Sequence, residues 1–172
     1  MIIVLLGYMG CGKSTIGKEL AKTLSFSFVD LDNYIEKKEA MSVTNIFKSK
    51  GEIYFRKKEH EYLKELTSNS DKLILSLGGG TPCYANNMRV LDREGINSIY
   101  LSVSVKELSK RLFNEKEERP LIANIETEEE LQSFIGIHLF ERSSFYSQAR
   151  TVIKTDGLTI KNIVENIIGS LY

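Results

Sequence analysis

The sequence predicts an α/β fold, a doubly wound parallel sheet of five strands forming a single domain over 1–172. Three observations predict it. Short, unbroken aliphatic runs alternate with helix-period segments from one end to the other; the runs give out into glycine or aspartate; and 172 residues with 42% hydrophobic content are enough for one core and too few for two. Strands without polar alternation belong to a parallel sheet covered on both faces. Ligands of such sheets sit beyond the strands' carboxyl ends, where the glycine loops and aspartates fall.

Ile2 to Leu6 is the first strand, ended by Gly7. From Lys13, apolar residues at Ile16, Leu20 and Leu24 mark one face of a helix, with Lys18 and Lys22 elsewhere. Phe26 to Leu31 reads as a second strand with Asp30 and Asp32 at its carboxyl end, followed by helix-prone sequence from Asn33 to Ala40. After Gly51, the charged segment Glu52 to Leu66 favours helix, with Arg56 in its early turns. Leu73 to Leu77 is a third strand, running into Gly78, Gly79 and Gly80, and a helix is expected through Ala85 to Arg93. Ile99 to Val103 is the fourth strand. Ser104 with Glu107, and later Thr127 with Glu130, carry the spacing of a capping box, the first opening a helix to about Phe113. Asn114 to Glu126, charged and without apolar periodicity, reads as an exposed loop. Thr151 to Lys154 is the last strand, and Ile160, Ile163, Val164, Ile167 and Ile168 stripe a terminal helix.

Charge and composition exclude several classes. With 23 Lys+Arg against 23 Asp+Glu, no global field holds the chain on a polyanion, so nucleic acid is not an expected partner. No apolar run approaches the roughly 20 residues that span a bilayer, so no membrane partner is expected. Met1 to Gly7 lacks a basic leader and reaches glycine too soon for a signal peptide. Cys11 and Cys83 form no CxxC and have no histidine cluster about them, so they read as small packing residues and not as a disulfide or metal framework. The expectation is a protein of the reducing cytoplasm.

Gly7-Tyr8-Met9-Gly10-Cys11-Gly12-Lys13-Ser14 satisfies G-x-x-x-x-G-K-[ST] between a strand and a helix, the context in which that pattern works as a phosphate loop. Its glycines let successive backbone N–H groups converge on phosphate oxygens, and the helix dipole adds to them. Lys13 would reach the β and γ phosphates and the Ser14 hydroxyl would ligate Mg²⁺. A dinucleotide-binding turn fits worse: Asp30 and Asp32 lie near where its ribose acid stands, about 20 residues on, yet Thr15 would occupy the third glycine position. The chain has no room for a motor's second lobe and lacks the N-K-x-D guanine motif. A small phosphotransferase or a nonenzymatic nucleotide-binding domain remains.

These residues resemble the shikimate kinase family over nearly the whole chain. Gly7 to Thr15 resemble its phosphate loop, Asp30-Leu31-Asp32 its D-x-D, Gly51-Glu52 through Phe55-Arg56 its G-E-x-x-F-R, and Ser76-Leu77-Gly78-Gly79-Gly80 its glycine-rich acceptor motif. Arg119-Pro120-Leu121 resemble its lid, here about 114–127, and Glu141-Arg142 with Tyr146 its late arginine segment. Ser143-Ser144 stand where the family usually has a proline, and from Arg119 to Arg142 the chain is several residues longer than many members. The resemblance implies a three-layer P-loop kinase fold with a five-stranded parallel sheet, similar to nucleoside monophosphate kinases. It implies transfer of the γ-phosphate of ATP to the 3-hydroxyl of shikimate by a monomer.

Roles follow residue by residue. ATP is expected on Gly10, Cys11, Gly12, Lys13, Ser14 and Thr15, with Arg119 closing onto the phosphates and Arg111 on the adenine. Lys13, Asp32 and Arg119 are the expected catalytic groups. Arg56 and Arg142 supply guanidinium forks for the acceptor's carboxylate. Asp32 accepts from the reacting hydroxyl, and the backbone of Gly79 approaches the ring. Asp30, read as lying on the same strand face as Asp32, would hold a water of the Mg²⁺ shell beside Ser14, with Ser76 a further oxygen. A gluconate kinase shares the loop and fold but not the arginine pair; a sensor with lost catalysis would not need Lys13, Ser14, Asp30, Asp32 and Arg119 together.

Overall fold

The structure, a computed structural model, describes residues 1–115 and 121–171. Five strands form one sheet in the order β2-β3-β1-β4-β5, with every pairing parallel: β1 (Ile2–Leu6), β2 (Ser27–Asp30), β3 (Leu73–Ser76), β4 (Ile96–Ser102) and β5 (Thr151–Lys154). The central β1 and its neighbour β3 are buried at every residue, so both faces are covered, as their unbroken aliphatic sequence requires. The edge strand β5 alternates instead. Helix α1 (Lys13–Leu24) lies against β1, β2 and β3, and α7 (Ile160–Gly169) packs on α1. At Gly17 a Cβ would meet Phe28 at 2.5 Å, so α1 sits on the sheet at a distance only glycine allows.

Several boundaries differ from expectation for definite reasons. β2 ends at Asp30 and α2 (Leu31–Glu39) begins at once, because the Asp30 carboxylate caps it, accepting from the backbone N–H groups of Asp32 (3.2 Å) and Asn33 (3.4 Å). Asp30 and Asp32 therefore do not share a strand face, as the sequence suggested; Asp32 belongs to the first turn of α2. Helix α3 (Val43–Ser68) starts eight residues before Gly51, capped by Ser42, and bends at Gly51, whose φ of 83° is left-handed. The helix expected from Ala85 is delayed: a 3₁₀ turn at Thr81–Cys83 and left-handed Ala85 and Asn86 leave only α4 (Asn87–Leu91).

The Ser104/Glu107 pattern opens α5 (Val105–Asn114), but its reciprocal half is missing. Glu107 pairs with Arg111 at 3.0 Å, and the backbone N–H of Ser104 is bound by Asp156 from the β5–α7 turn at 3.1 Å. The Thr127/Glu130 box is complete and opens α6 (Glu128–Tyr146). The loop expected to be exposed carries Ile122 at 0% exposure, which fastens the segment before α6 to the core.

Helices α2 and α3, which carry Asp32 and Arg56, are tied together at Glu39. Its carboxylate accepts from Tyr54 (2.5 Å), Tyr62 (2.7 Å) and Lys50 (3.2 Å), and these bonds, the tyrosines' first, hold it down to about 2. Because the folded-state value is depressed, this stabilisation is present above the ordinary carboxylate range and is lost as pH falls toward 2. Glu39→Gln should lower stability at pH 7 by on the order of 1–2 kcal/mol, the worth of charge-assisted hydrogen bonds. In denaturant titrations the gap between variant and parent should close as pH falls from 7 to 2.5.

Candidate active site

The phosphate loop leaves β1 at the centre of the sheet. Gly7 (φ 147°) and Gly12 (φ 94°) hold left-handed conformations, and a Cβ on Gly7 would stand 2.8 Å from the Leu101 carbonyl oxygen. Lys13 Nζ donates to the carbonyls of Gly7 (2.8 Å) and Tyr8 (3.0 Å), closing the loop over the start of α1. Cys11 is 1% exposed, and its thiol lies inside the loop, where Lys13 Nζ donates to Sγ at 3.6 Å. A cavity of about 310 Å³ opens here, lined among others by Gly10, Gly12, Lys13, Ser14, Thr15 and Asp30. Arg111 reaches its rim, donating to the Gly10 carbonyl at 3.4 Å.

An oxygen-rich patch forms the floor. Ser14 Oγ donates to Asp30 Oδ2 at 2.9 Å, and Asp30 is in register with Ser76 on β3. Ser76 Oγ is a buried side-chain oxygen with no hydrogen-bond partner, the one such atom among the described residues. An orphaned hydroxyl lining the same cavity as a carboxylate-bound serine fits a hard divalent cation with its water shell. No group of three or more His, Cys, Asp or Glu positioned for a metal occurs among the described residues, so phosphate oxygens would have to complete such a shell.

A second cavity of about 220 Å³ adjoins the first and is lined by Arg56, Arg142, Glu59, His138, Leu121 and the glycine triplet. The two share Met9, Asp32, Gly78 and Gly79. Arg56 is braced on α3: Nη1 donates to Glu59 (2.8 Å), Nε to Glu52 (3.4 Å), and the guanidinium lies 3.9 Å from the Tyr84 ring centre. Glu59 is 1% exposed and takes a second bond from Thr81 Oγ1 at 2.6 Å. Gly80 makes room for this arginine, since a Cβ there would stand 2.8 Å from Arg56 Nη2. Arg142 comes from α6, its guanidinium 5.6 Å from the Tyr8 ring centre. One turn on, buried Tyr146 donates to the Gly79 carbonyl at 2.6 Å; burial pushes its phenol up and keeps the proton on it.

Asp32 stands where the cavities meet. Burial first, then the charges of Asp30 and Glu59, push its carboxyl up to about 6 against the pull of Lys13 and Arg56. A carboxylate with that value, beside a phosphate loop and opposite two guanidinium groups, can accept a proton from a hydroxyl near neutral pH.

The structure thus brings together Gly10, Gly12, Lys13, Ser14, Thr15, Asp30 and Asp32 on one side and Arg56, Gly79 and Arg142 on the other. Arg119 lies outside the described residues. Sequence reasoning missed Glu59 and His138, and read Gly80 and Tyr8 only as members of their motifs. Glu59 carried a usable signal, a carboxylate three residues after Arg56 on a helix; Tyr8 and His138 meet only through the fold.

The shikimate kinase family model matches residues 9–172. The chain is 51% identical over 169 residues to the shikimate kinase of Flavobacterium johnsoniae, covering 98% of each. It superposes on the crystal structure of the shikimate kinase from Bacteroides thetaiotaomicron with a TM-score of 0.91 at 35% identity, covering 99% of this chain and 98% of that one. The Acinetobacter baumannii shikimate kinase in complex with shikimate matches with a TM-score of 0.84 at 32% identity, covering 99% of this chain and 92% of that one.

Asp32 carries a stability consequence of its own. Its folded-state value is raised, so ionising it above about pH 6 costs the fold energy that the protonated form does not. Asp32→Asn should raise the melting temperature of the ligand-free protein at pH 8 and leave it nearly unchanged at pH 4. Thermal unfolding at the two pH values checks the sign.

Proposed function

The chain belongs to the shikimate kinase family, and from that membership we propose how its residues divide the work of moving the γ-phosphate of ATP to the 3-hydroxyl of shikimate. The products are ADP and shikimate 3-phosphate, on the route to chorismate and the aromatic amino acids. The observation that carries the division is the pair of cavities meeting at Asp32 and Gly79, one ringed by the phosphate loop and the other by two arginines.

ATP binds with its phosphates on the backbone of Gly10, Cys11, Gly12, Lys13, Ser14 and Thr15. Lys13 exchanges the Gly7 and Tyr8 carbonyls for β- and γ-phosphate oxygens, which keeps its charge beside the transferring group. Mg²⁺ is the cation that fits the oxygen patch: Ser14 would ligate it, with Asp30 and Ser76 holding waters of its shell. When bound it neutralises charge on the phosphates. Arg119 takes its place at the transferring phosphoryl by resemblance alone.

Shikimate lies in the second cavity with its carboxylate between Arg56 and Arg142 and its ring against Gly79. Arg56 spends its Nε–H and one Nη1–H on Glu52 and Glu59, and the rest of its planar fork is left to pair with a carboxylate. Asp32 accepts from the 3-hydroxyl, orienting an oxygen lone pair toward the γ-phosphorus and taking the proton as the new bond forms. Every group given a role here comes from this one chain, so the reaction as divided needs none from a second subunit, the reading of a monomer; an ATP donor with two free cysteines supports a cytoplasmic enzyme. Among the described residues no helix is long and apolar enough to cross a membrane.

Coupled ADP release with shikimate as acceptor, and gluconate as control, tests the reading directly. Lys13→Ala should abolish most turnover with the fold intact. Arg142→Ala should weaken shikimate binding by about 1.5–3 kcal/mol, the loss of a charged hydrogen-bonded contact, with ATP affinity nearly unchanged; equal losses for both ligands would contradict the division. For the parent enzyme, kcat/KM for shikimate should fall as pH drops through about 6, where Asp32 becomes protonated. Asp32→Asn should lose that limb along with most of kcat.

A further inference from the structure

The second cavity has one polar wall residue with no part in that division of labour. His138 lies on α6 one turn before Arg142, lines the cavity, and is held by the phosphate loop: Tyr8 Oη and His138 Nδ1 are 3.1 Å apart. Tyr8 is 1% exposed, and Nδ1 is the partner its hydroxyl has among the described residues. A buried O–H needs an acceptor, so the phenol donates and Nδ1 receives. Burial, opposed by Arg142, pushes the Tyr8 phenol up to about 12, so the proton stays on it. Burial, then the Arg142 charge, pushes the His138 imidazole below its ordinary value, with Glu141 opposing, so the ring is neutral. A neutral ring that accepts at Nδ1 carries its proton on Nε2. The Phe134 ring, 4.2 Å away between centres, and the Tyr8 ring, 6.2 Å away, flank the imidazole and limit its rotation.

We propose that His138 is a further specificity-determining residue of the acceptor site, presenting a neutral Nε2–H donor, fixed in tautomer by Tyr8 of the phosphate loop, to an oxygen of the bound shikimate. The proposal rests on the second cavity's being the acceptor site. Arginine pairs supply charge to a carboxylate, but a polyhydroxy ring also needs uncharged donors that discriminate hydroxyl placement. A neutral imidazole beside two guanidinium groups is such a donor. Its attachment to Tyr8 sets it in register with the loop that holds the phosphates.

The test compares His138→Phe, His138→Gln, Tyr8→Phe and Arg142→Ala with the parent, by steady-state kinetics and by calorimetry with shikimate. His138→Phe keeps a ring of similar size and deletes both the Nε2–H donor and the Nδ1 acceptor of Tyr8, the second of which Tyr8→Phe removes on its own. It should raise KM and Kd for shikimate about five- to thirtyfold, as for one lost hydrogen bond, with KM for ATP and kcat nearly unchanged. His138→Gln, whose amide nitrogen falls near the position of ring Nε2, should recover part of the loss. In nitrogen-15 NMR of the parent, the His138 ring should show the Nε2–H tautomer and its Nε2 resonance should shift when shikimate is added; in Tyr8→Phe the ring should show mixed tautomers. If Arg142→Ala weakens shikimate while His138→Phe does not, or if His138→Phe weakens ATP and shikimate equally, the proposal fails and the acceptor site stands. If Arg142→Ala leaves shikimate binding unchanged, the acceptor-site reading fails with it.

Discussion

Two glycine loops from neighbouring strands lie against each other, and the site exists because they can. The phosphate loop leaves β1 and the triplet Gly78 to Gly80 leaves β3; a Cβ on Gly79 would stand 3.5 Å from the Met9 backbone nitrogen and 3.6 Å from both Arg142 Nη1 and the Gly7 carbonyl. Those are ordinary contact distances, so the loops touch at Gly79 without strain; the tight positions flank it, where a Cβ on Gly78 would stand 3.0 Å from Asp32 Oδ1 and one on Gly80 2.8 Å from Arg56 Nη2. Phosphoryl transfer by positioning depends steeply on such distances, since reacting atoms must approach to about 3–3.5 Å. The Tyr146 bond to the Gly79 carbonyl then fixes the second loop from α6, the same helix that delivers Arg142. Sheet register, loop geometry and the arginine's position are thus one constraint expressed at three places.

Charge in the site is arranged at a cost to the fold. Glu59 is buried with both Arg56 and Thr81 bonded to its side chain, and Asn87 extends the network by donating to the Thr81 carbonyl while its own oxygen meets His60 at 2.7 Å. That bracing spends part of the Arg56 fork and in return holds the rest in one direction. The same Glu59 charge raises Asp32, so one buried carboxylate both orients the Arg56 guanidinium and lifts the Asp32 carboxyl. A fold selected for stability alone would not crowd Asp30, Asp32 and Glu59 around two adjoining cavities.

Local signals were legible in the sequence to the extent that they were local. The aliphatic run Ile2–Leu6, the phosphate loop and the Thr127/Glu130 capping box each carry their own physics within a few residues, and the structure has all three. The β2–α2 junction was misplaced because Asp30 does two things at once, ending a strand and capping a helix, so no turn residues separate the elements. The half-formed box at Ser104 failed for the opposite reason: its second partner, Asp156, lies far along the chain and outcompetes Glu107 for the Ser104 N–H. Ile122 reads in sequence as an isolated apolar residue in a polar loop, and only the packing shows it as an anchor. Residues with a helical neighbour relationship, such as Arg56 and Glu59, stand between these limits.

The phosphate loop's second residue illustrates why the remainder was hidden. In a G-x-x-x-x-G-K-[ST] pattern the x positions are read as backbone, because backbone N–H groups do the anion binding. Tyr8 occupies one of them, yet its side chain is buried, carries the Arg142 guanidinium near its face and bonds His138 at its tip. Both contacts are to α6, more than a hundred residues later, so no window of sequence contains them. A loop whose side chain supports the wall of a neighbouring cavity is indistinguishable, in a motif, from one that offers only its backbone. The distinction belongs to packing, and it makes the tyrosine's ring a support of the second cavity's wall even though the motif leaves its identity open.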